Sequence, residues 1–179
     1  MIFIQFTGLS GAGKTTLANL VRYELIRQNY KVEIIDGDEY RKTICSDLGF
    51  SKEDRITNIR RLGFIGSLLA KNEIIVILSA INPYEDIRKE IEIQYNNTFT
   101  VWINCSNEKL IERDTKGLYK RALLCDGDPL KIYNLTGIND IYEVPVTPHL
   151  IINTHQESKE ISRDKILAFI KLNIHVVSH

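Results

Sequence analysis

Cysteine is scarce in this chain. Cys45, Cys105 and Cys125 are an odd number, widely spaced, with no C-x-x-C pair. That pattern offers neither a disulfide framework nor a structural zinc site, and it suits a reducing compartment. Long apolar runs are missing as well. A stretch such as Ile74-Ile75-Val76-Ile77-Leu78 has the length of a strand, far short of the roughly 20 residues a membrane-spanning helix needs. Excess charge of one sign is absent: Lys plus Arg number 23 and Asp plus Glu 23. Without a net field, neither nucleic acid nor an anionic membrane is expected as a partner. The chain enters an apolar strand within its first residues, so no secretion signal is expected and a cytoplasmic setting is. The triplets Asn96-Asn97-Thr98, Asn104-Cys105-Ser106 and Asn134-Leu135-Thr136 therefore read as chance sequons. Repeats, low-complexity tracts and linkers are absent too, and 179 residues suit one domain spanning 1–179 with a core of its own.

What is present begins at Gly8-Leu9-Ser10-Gly11-Ala12-Gly13-Lys14-Thr15, which fits G-x-x-x-x-G-K-S/T. The strand-like run Ile2 to Thr7 precedes it. After it, Leu17, Leu20, Val21 and Leu25 recur at helical spacing. Strand, glycine loop and helix aim backbone N–H groups and a helix N-terminus at a phosphate. Gly8, Ser10, Gly11, Ala12, Gly13, Lys14, Thr15 and Thr16 are thus expected to hold ATP. Lys14 would reach its β- and γ-phosphates, and the Thr15 hydroxyl would ligate Mg²⁺.

Further strands are expected at 32–35, 74–78, 99–103 and 150–152, and helices at 52–71, 84–95 and 158–172. On the long helix Ile56, Ile59, Leu62, Gly63, Gly66 and Leu69 or Ala70 share a face. Ser51 reads as its N-cap, with Asp54 as the acid of a capping box. In the closing helix Ile161, Lys165, Leu167, Ala168 and Leu172 sample its faces. Alternation of strands with helices predicts an α/β three-layer sandwich: a mostly parallel five-stranded sheet with helices on both faces. Ligands in such sheets sit at the carboxyl ends of the strands. The segment 113–148 is long and rich in turn residues, as a mobile lid would be.

A second constellation follows the second strand. Asp36-Gly37-Asp38-Glu39-Tyr40-Arg41 puts two carboxylates and a guanidinium at the mouth of the sheet. Such a group can serve as general base for a hydroxyl and as part of a Mg²⁺ shell; it can also be a turn in which Asp38 caps a helix. The third strand ends Leu78-Ser79-Ala80, without the Mg²⁺-positioning acid of motor ATPases and GTPases, and no NKxD-type guanine motif occurs. Asp36 or Asp38 is then the nearest substitute. Arg55 and Asn58, three apart, are neighbours on one helical face and suit a phosphate or sulfate. Phe50 offers a ring for a base.

Taken together, these segments resemble the adenylylsulfate (APS) kinases, within the P-loop kinase fold. The resemblance rests on Phe6 to Thr16, on Asp36-Gly37-Asp38 with Arg41, and on Ser46 to Arg61. It rests also on Arg113-Asp114-x-Lys116-Gly117-Leu118-Tyr119-Lys120-x-Ala122 and on Thr136-Gly137-Ile138-x-Asp140-x-Tyr142-Glu143-x-Pro145. It implies MgATP-dependent phosphorylation of the ribose 3′-hydroxyl of adenosine 5′-phosphosulfate. It assigns Lys14, Asp36, Asp38 and Lys116 to catalysis, with Asp38 as base and Asp36 supporting the metal's water shell. Arg41, Arg55 and Asn58 would hold the phosphosulfate, Phe50 would stack on the base, and Ile81, Asn82 and Leu135 would complete the acceptor pocket. Lys116 would reach the acceptor from the lid, and Arg113 would close over ATP. Small nucleotides are the implied partners, and the family's habit allows a homodimer.

Three departures bear on the acceptor. Asn82 stands where the family has a serine described as phosphorylated, so transfer is expected to go directly from ATP. Leu135 stands where the family clamps the purine with a second Phe, and Leu124 to Leu130 is longer than the family norm. Asn82 adds an amide able to read a base edge. These changes leave room for another acceptor, such as cytidine diphosphoramidate in capsule modification. Another small-molecule kinase of this fold, or a non-catalytic nucleotide switch, are further alternatives.

Overall fold

The computed structural model describes residues 1–176. In chain order the elements are β1 (Phe3–Thr7), α1 (Lys14–Arg27), β2 (Val32–Asp36), α2 (Gly37–Tyr40), α3 (Lys52–Lys71) and β3 (Ile75–Ser79). There follow α4 (Glu85–Gln94), β4 (Thr98–Asn104), α5 (Asn107–Arg113), α6 (Leu118–Ala122), β5 (Leu150–Asn153) and α7 (Lys159–Val176). The five strands form one sheet in the order β2-β3-β1-β4-β5, and every pairing is parallel. The expected three-layer α/β sandwich is therefore found, with the "mostly parallel" sheet wholly parallel.

Period-two alternation sorts the side chains into two cores. Ile2, Ile4 and Phe6 face α1 and α7, whose Leu17, Ala18, Val21, Leu25, Ile166 and Ile170 are buried with them. Phe3, Val76 and Leu78 face the opposite side, against Ile59, Leu62, Ala70, Ile87 and Ile91 of α3 and α4. Each such aliphatic side chain contributes about 1.5–3 kcal/mol on leaving water. Close approach on that second face requires glycine. A Cβ on Gly66 would lie 2.7 Å from the Phe3 ring, and one on Gly63 2.5 Å from Ile91.

Several expectations are corrected. The short helices α5 and α6 are not foreseen by the sequence reading, being too short to carry an apolar period, and α2 enters it only as a helix capped by Asp38. Asp36, not Asp38, caps α2: its carboxylate accepts from the Asp38 and Glu39 N–H groups. Of the expected capping box, the Ser51 half is formed, its Oγ accepting from Asp54 N at 3.1 Å. The buried face of α7 carries Ser162, Ile166, Leu167 and Ile170, whereas Ile161 and Leu172 are exposed. The segment 113–148 is irregular except for α6 and one bridge between Thr136 and Asp140.

Candidate active site

Parallel strands bring their carboxyl ends to one edge, and the loops leaving them enclose a cavity of about 550 Å³ lined by Lys14, Thr15, Asp36, Asp38, Phe50, Lys116 and Leu135 among others. The lid segment closes one wall with Thr115, Lys116, Ile132, Asn134 and Thr136.

The phosphate loop turns through glycines in left-handed backbone, with φ +77° at Gly11 and +102° at Gly13. Gly8 also passes so near β4 that a Cβ would lie 2.3 Å from the Ile103 carbonyl oxygen. Gly13 is the N-cap of α1 and supplies no side-chain acceptor. The first N–H groups of α1 therefore lack a side-chain cap, as an anion site at a helix terminus requires. Lys14 folds back over the loop, its Nζ donating to the Gly8 and Leu9 carbonyls at 2.8 and 2.9 Å. Burial pulls its pKa down to about 8, more than the nearby Asp38 and Asp36 carboxylates restore. A triphosphate bound beside it would favour the charged form and raise that pKa again. Tyr119 of α6 buttresses the loop from the far side, donating to the Ser10 carbonyl at 2.7 Å.

Register explains the next group. Asp36 ends β2 directly opposite Ser79 at the end of β3. The Thr15 hydroxyl donates to Asp36 Oδ2 at 2.9 Å and lies 3.3 Å from Ser79 Oγ. Three oxygen donors converge there, and hard oxygen ligands suit Mg²⁺. Among the described residues no three His, Cys, Asp or Glu side chains could hold a metal by themselves. The ion would then be shared with substrate phosphates, as Mg²⁺ commonly is.

Asp38 projects from α2 at the exposed mouth and forms an ion pair with Lys116 of the lid at 2.7 Å. Crowding by protein raises its pKa, but the Lys116 hydrogen bond and the charges of Lys116, Lys14 and Arg41 outweigh that and hold it below the usual carboxylate range. Asp38 is thus ionised and tethered to the residue that the sequence reading also assigned to the site.

The residues expected on the acceptor side, Arg41, Phe50, Arg55, Asn58, Ile81 and Asn82, line a recess of about 70 Å³. The Phe50 ring is half exposed. Arg41 and Arg55 lie over it at 4.8 and 5.4 Å from the centroid. Arg41 also donates to the Gly49 carbonyl at 2.7 Å, and its pKa is lowered by burial and by Arg55. Asn58 is buried with its Oδ1 unpartnered. Leu135 is buried along the larger cavity, on the lid wall.

Two expected residues, Asn82 and Arg113, are placed differently from the sequence reading. Arg55 lines the recess as expected and also reaches the lid: it donates to the Asn134 carbonyl at 2.9 Å and pairs with Asp140 at 2.8 Å. Asp140, to which the sequence pattern assigns no role, is the counter-ion of Arg55. Asn82 turns its Nδ2 inward to Gln5 Oε1 at 2.9 Å rather than presenting a free amide. Gln5 had one sequence signal, a long polar side chain inside an apolar strand. Arg113 is exposed outside the cavity lining. It donates to the Thr154 carbonyl at 3.0 Å, and the Thr154 hydroxyl donates to the Ala12 carbonyl at 2.9 Å. It therefore stands behind the phosphate loop.

A family model described as adenylylsulphate kinase matches residues 1–153. The adenylyl-sulfate kinase of Rippkaea orientalis (strain PCC 8801 / RF-1) is 45% identical over 165 residues, covering 92% of this chain and 88% of that protein. The probable bifunctional SAT/APS kinase 2 of Sorangium cellulosum (strain So ce56) is 47% identical over 165 residues, covering 92% of this chain; the match spans only 28% of that relative. Among solved structures, the Mycobacterium tuberculosis APS kinase in complex with AMPPNP and APS superposes with a TM-score of 0.86 at 30% identity, covering 95% of this chain and 97% of that one.

Proposed function

The chain belongs to the adenylylsulphate kinase family, and from that premise we propose that it transfers the γ-phosphoryl group of ATP to the ribose 3′-hydroxyl of adenosine 5′-phosphosulfate. The products are ADP and 3′-phosphoadenosine 5′-phosphosulfate. The observation that carries this reading is one cavity lined by both the phosphate loop and an ionised aspartate, Asp38.

Phosphoryl transfer needs in-line placement and charge neutralisation more than covalent chemistry. Lys14 and the α1 N-terminus hold the transferring phosphate's charge. Asp38 accepts a hydrogen bond from the 3′-hydroxyl and takes its proton as the new O–P bond forms and the bond to the ADP oxygen breaks. Lys116, now paired with Asp38, is placed to follow the developing charge. Thr15 and, through water, Asp36 would hold Mg²⁺, which neutralises phosphate charge. Arg41, Arg55 and Asn58, which line one recess, would hold the acceptor's phosphosulfate, Phe50 and Leu135 would flank its base, and Arg113 would support the ATP side. The setting expected for this reaction is the cytoplasm; the family's habit allows a homodimer, which light scattering of the purified chain tests.

ADP release measured with and without adenosine 5′-phosphosulfate decides the reading, with the product identified by mass. Acceptor-dependent ADP and a product heavier by one phosphate are expected. ADP formed equally without acceptor, or turnover confined to cytidine diphosphoramidate, would overturn it.

A further inference from the structure

Thr7 ends β1, one residue before the phosphate loop, and is fully buried. Its hydroxyl sits where three parts of the site meet. The Ile81 and Asn82 carbonyls, which can only accept, lie 2.9 and 3.0 Å from Oγ1 and share its hydrogen. The Tyr142 hydroxyl lies 3.1 Å away. Because the Thr7 hydrogen is already given to the carbonyls, the phenol donates and Thr7 Oγ1 accepts. One oxygen thus joins the turn after β3 and the returning end of the lid segment to the strand that carries the phosphate loop.

Each part also has bonds of its own. Gly8 N, the first amide of the phosphate loop, donates to the Ile81 carbonyl at 3.2 Å. Arg88, 1% exposed, donates from Nη1 to the Asn82 carbonyl at 2.7 Å and from Nη2 to the Glu143 carbonyl at 2.6 Å. Glu143 N reaches the Pro83 carbonyl at 2.8 Å. Thr7 itself lines neither the cavity nor the recess, whereas Ile81 lines both. The hydroxyl therefore bears on the spacing of substrate-facing groups without touching substrate. Transfer requires the attacking oxygen about 3–3.5 Å from the phosphorus, and a misplacement of about 1 Å costs on the order of 10²-fold.

We propose that Thr7 is a positioning residue for the transfer. Its hydroxyl holds the acceptor turn and the lid at the distance from the phosphate loop at which the ribose hydroxyl, rather than water, takes the γ-phosphoryl group. This rests on the proposed function.

The test is the partition of ATP. Transfer to the acceptor yields ADP and the 3′-phosphorylated nucleotide; attack by water yields ADP and inorganic phosphate. Both are measured with saturating ATP and adenosine 5′-phosphosulfate. Thr7→Val keeps the shape and removes the hydroxyl, while the two carbonyls retain their Gly8 and Arg88 donors, so the variant is expected to fold. Its kcat for transfer should fall by about 10–100-fold. Its nucleotide product per ADP should fall by more than about threefold, with the Kd for a non-hydrolysable ATP analogue little changed. Thr7→Ser restores the hydroxyl and should restore the partition. Because the partition is taken within one preparation, partial loss of folded protein leaves it unchanged. Amide hydrogen exchange gives a second reading: in Thr7→Val it should quicken over 140–146 and stay as it was in α7. A partition kept in Thr7→Val, or Thr7→Ser as impaired as Thr7→Val, overturns the proposal. A wild type that releases ADP but never phosphorylates adenosine 5′-phosphosulfate overturns the kinase reading; unchanged exchange in Thr7→Val overturns the tie through Thr7 in either case.

Discussion

Lys14 and Asp38 carry opposite electrostatic problems, and each makes a separate prediction. Lys14→Ala should lower kcat at least tenfold, about 1.4 kcal/mol of barrier, with its circular dichroism spectrum unchanged; activity above a tenth of wild type contradicts the assignment. The pKa of Lys14, lowered to about 8 by burial, also sets a pH dependence. Below about 8 the free protein already carries the charge. Above it, binding a triphosphate must draw a proton back, so the bound state holds more protons and rising pH favours the free protein. Titration calorimetry should find a flat Kd for ATP below about pH 8 and a rise approaching tenfold per unit above it. At Asp38 the carboxylate is already ionised, so Asp38→Asn removes a proton acceptor without changing size. A fall in kcat of about 10²–10⁴ is expected with the KM for ATP little changed. If Asp36→Asn is the crippled variant instead, the two roles are exchanged.

Among the elements, α3 supplies both scaffold and site. It presents Gly63 and Gly66 to the sheet side, where β1 and α4 approach closely, and Arg55 and Asn58 to the acceptor recess. Its start is set by Ser51, which caps the Asp54 N–H. Ser51→Ala should cost about 1 kcal/mol, read as a lower urea midpoint with an unchanged slope. Gly66→Ala should cost more, about 1–3 kcal/mol, because the Phe3 ring is in the way and its neighbours leave it little room. A result in which the cap matters more than the glycine would mean that α3 gives way more easily than its packing implies.

For the whole molecule, the question is how the lid wall is held against the sheet. The contacts that tie 113–148 to the body include Lys116 to Asp38, Arg55 to Asp140 and Asn134, Tyr119 to the Ser10 carbonyl, and Arg88 to the Glu143 carbonyl. The Lys116 pair is exposed and screened, so it contributes little to stability. The Arg55 side chain is only 7% exposed, and removing its partner leaves a charge poorly compensated. Asp140→Asn should loosen the lid and admit water to the transferring phosphate. ADP formation without acceptor should rise by about 3–10-fold, on the order of 1 kcal/mol in the barrier. No rise, with normal acceptor kinetics, would show that the lid closes without this pair.

The sequence alone determined the sheet, the phosphate loop and most members of the site. Each of these is encoded by neighbours along the chain: apolar period, glycine spacing, and residues at strand ends that a parallel sheet must gather at one edge. Helices α5 and α6 escaped notice because one or two turns carry no period. Only the tertiary structure decided which partner each charged or amide group takes. Arg55 and Asp140 are 85 positions apart in number, as are many residues that never meet; their pairing depends on how the lid folds back over α3. Asn82 was legible as an amide near the acceptor, but its Nδ2 is taken by Gln5 on β1, whose own orientation follows from Arg88 and Thr100. Hydrogen-bond direction inside a core is a property of the assembled network, because each buried group can be satisfied only by what the fold brings beside it.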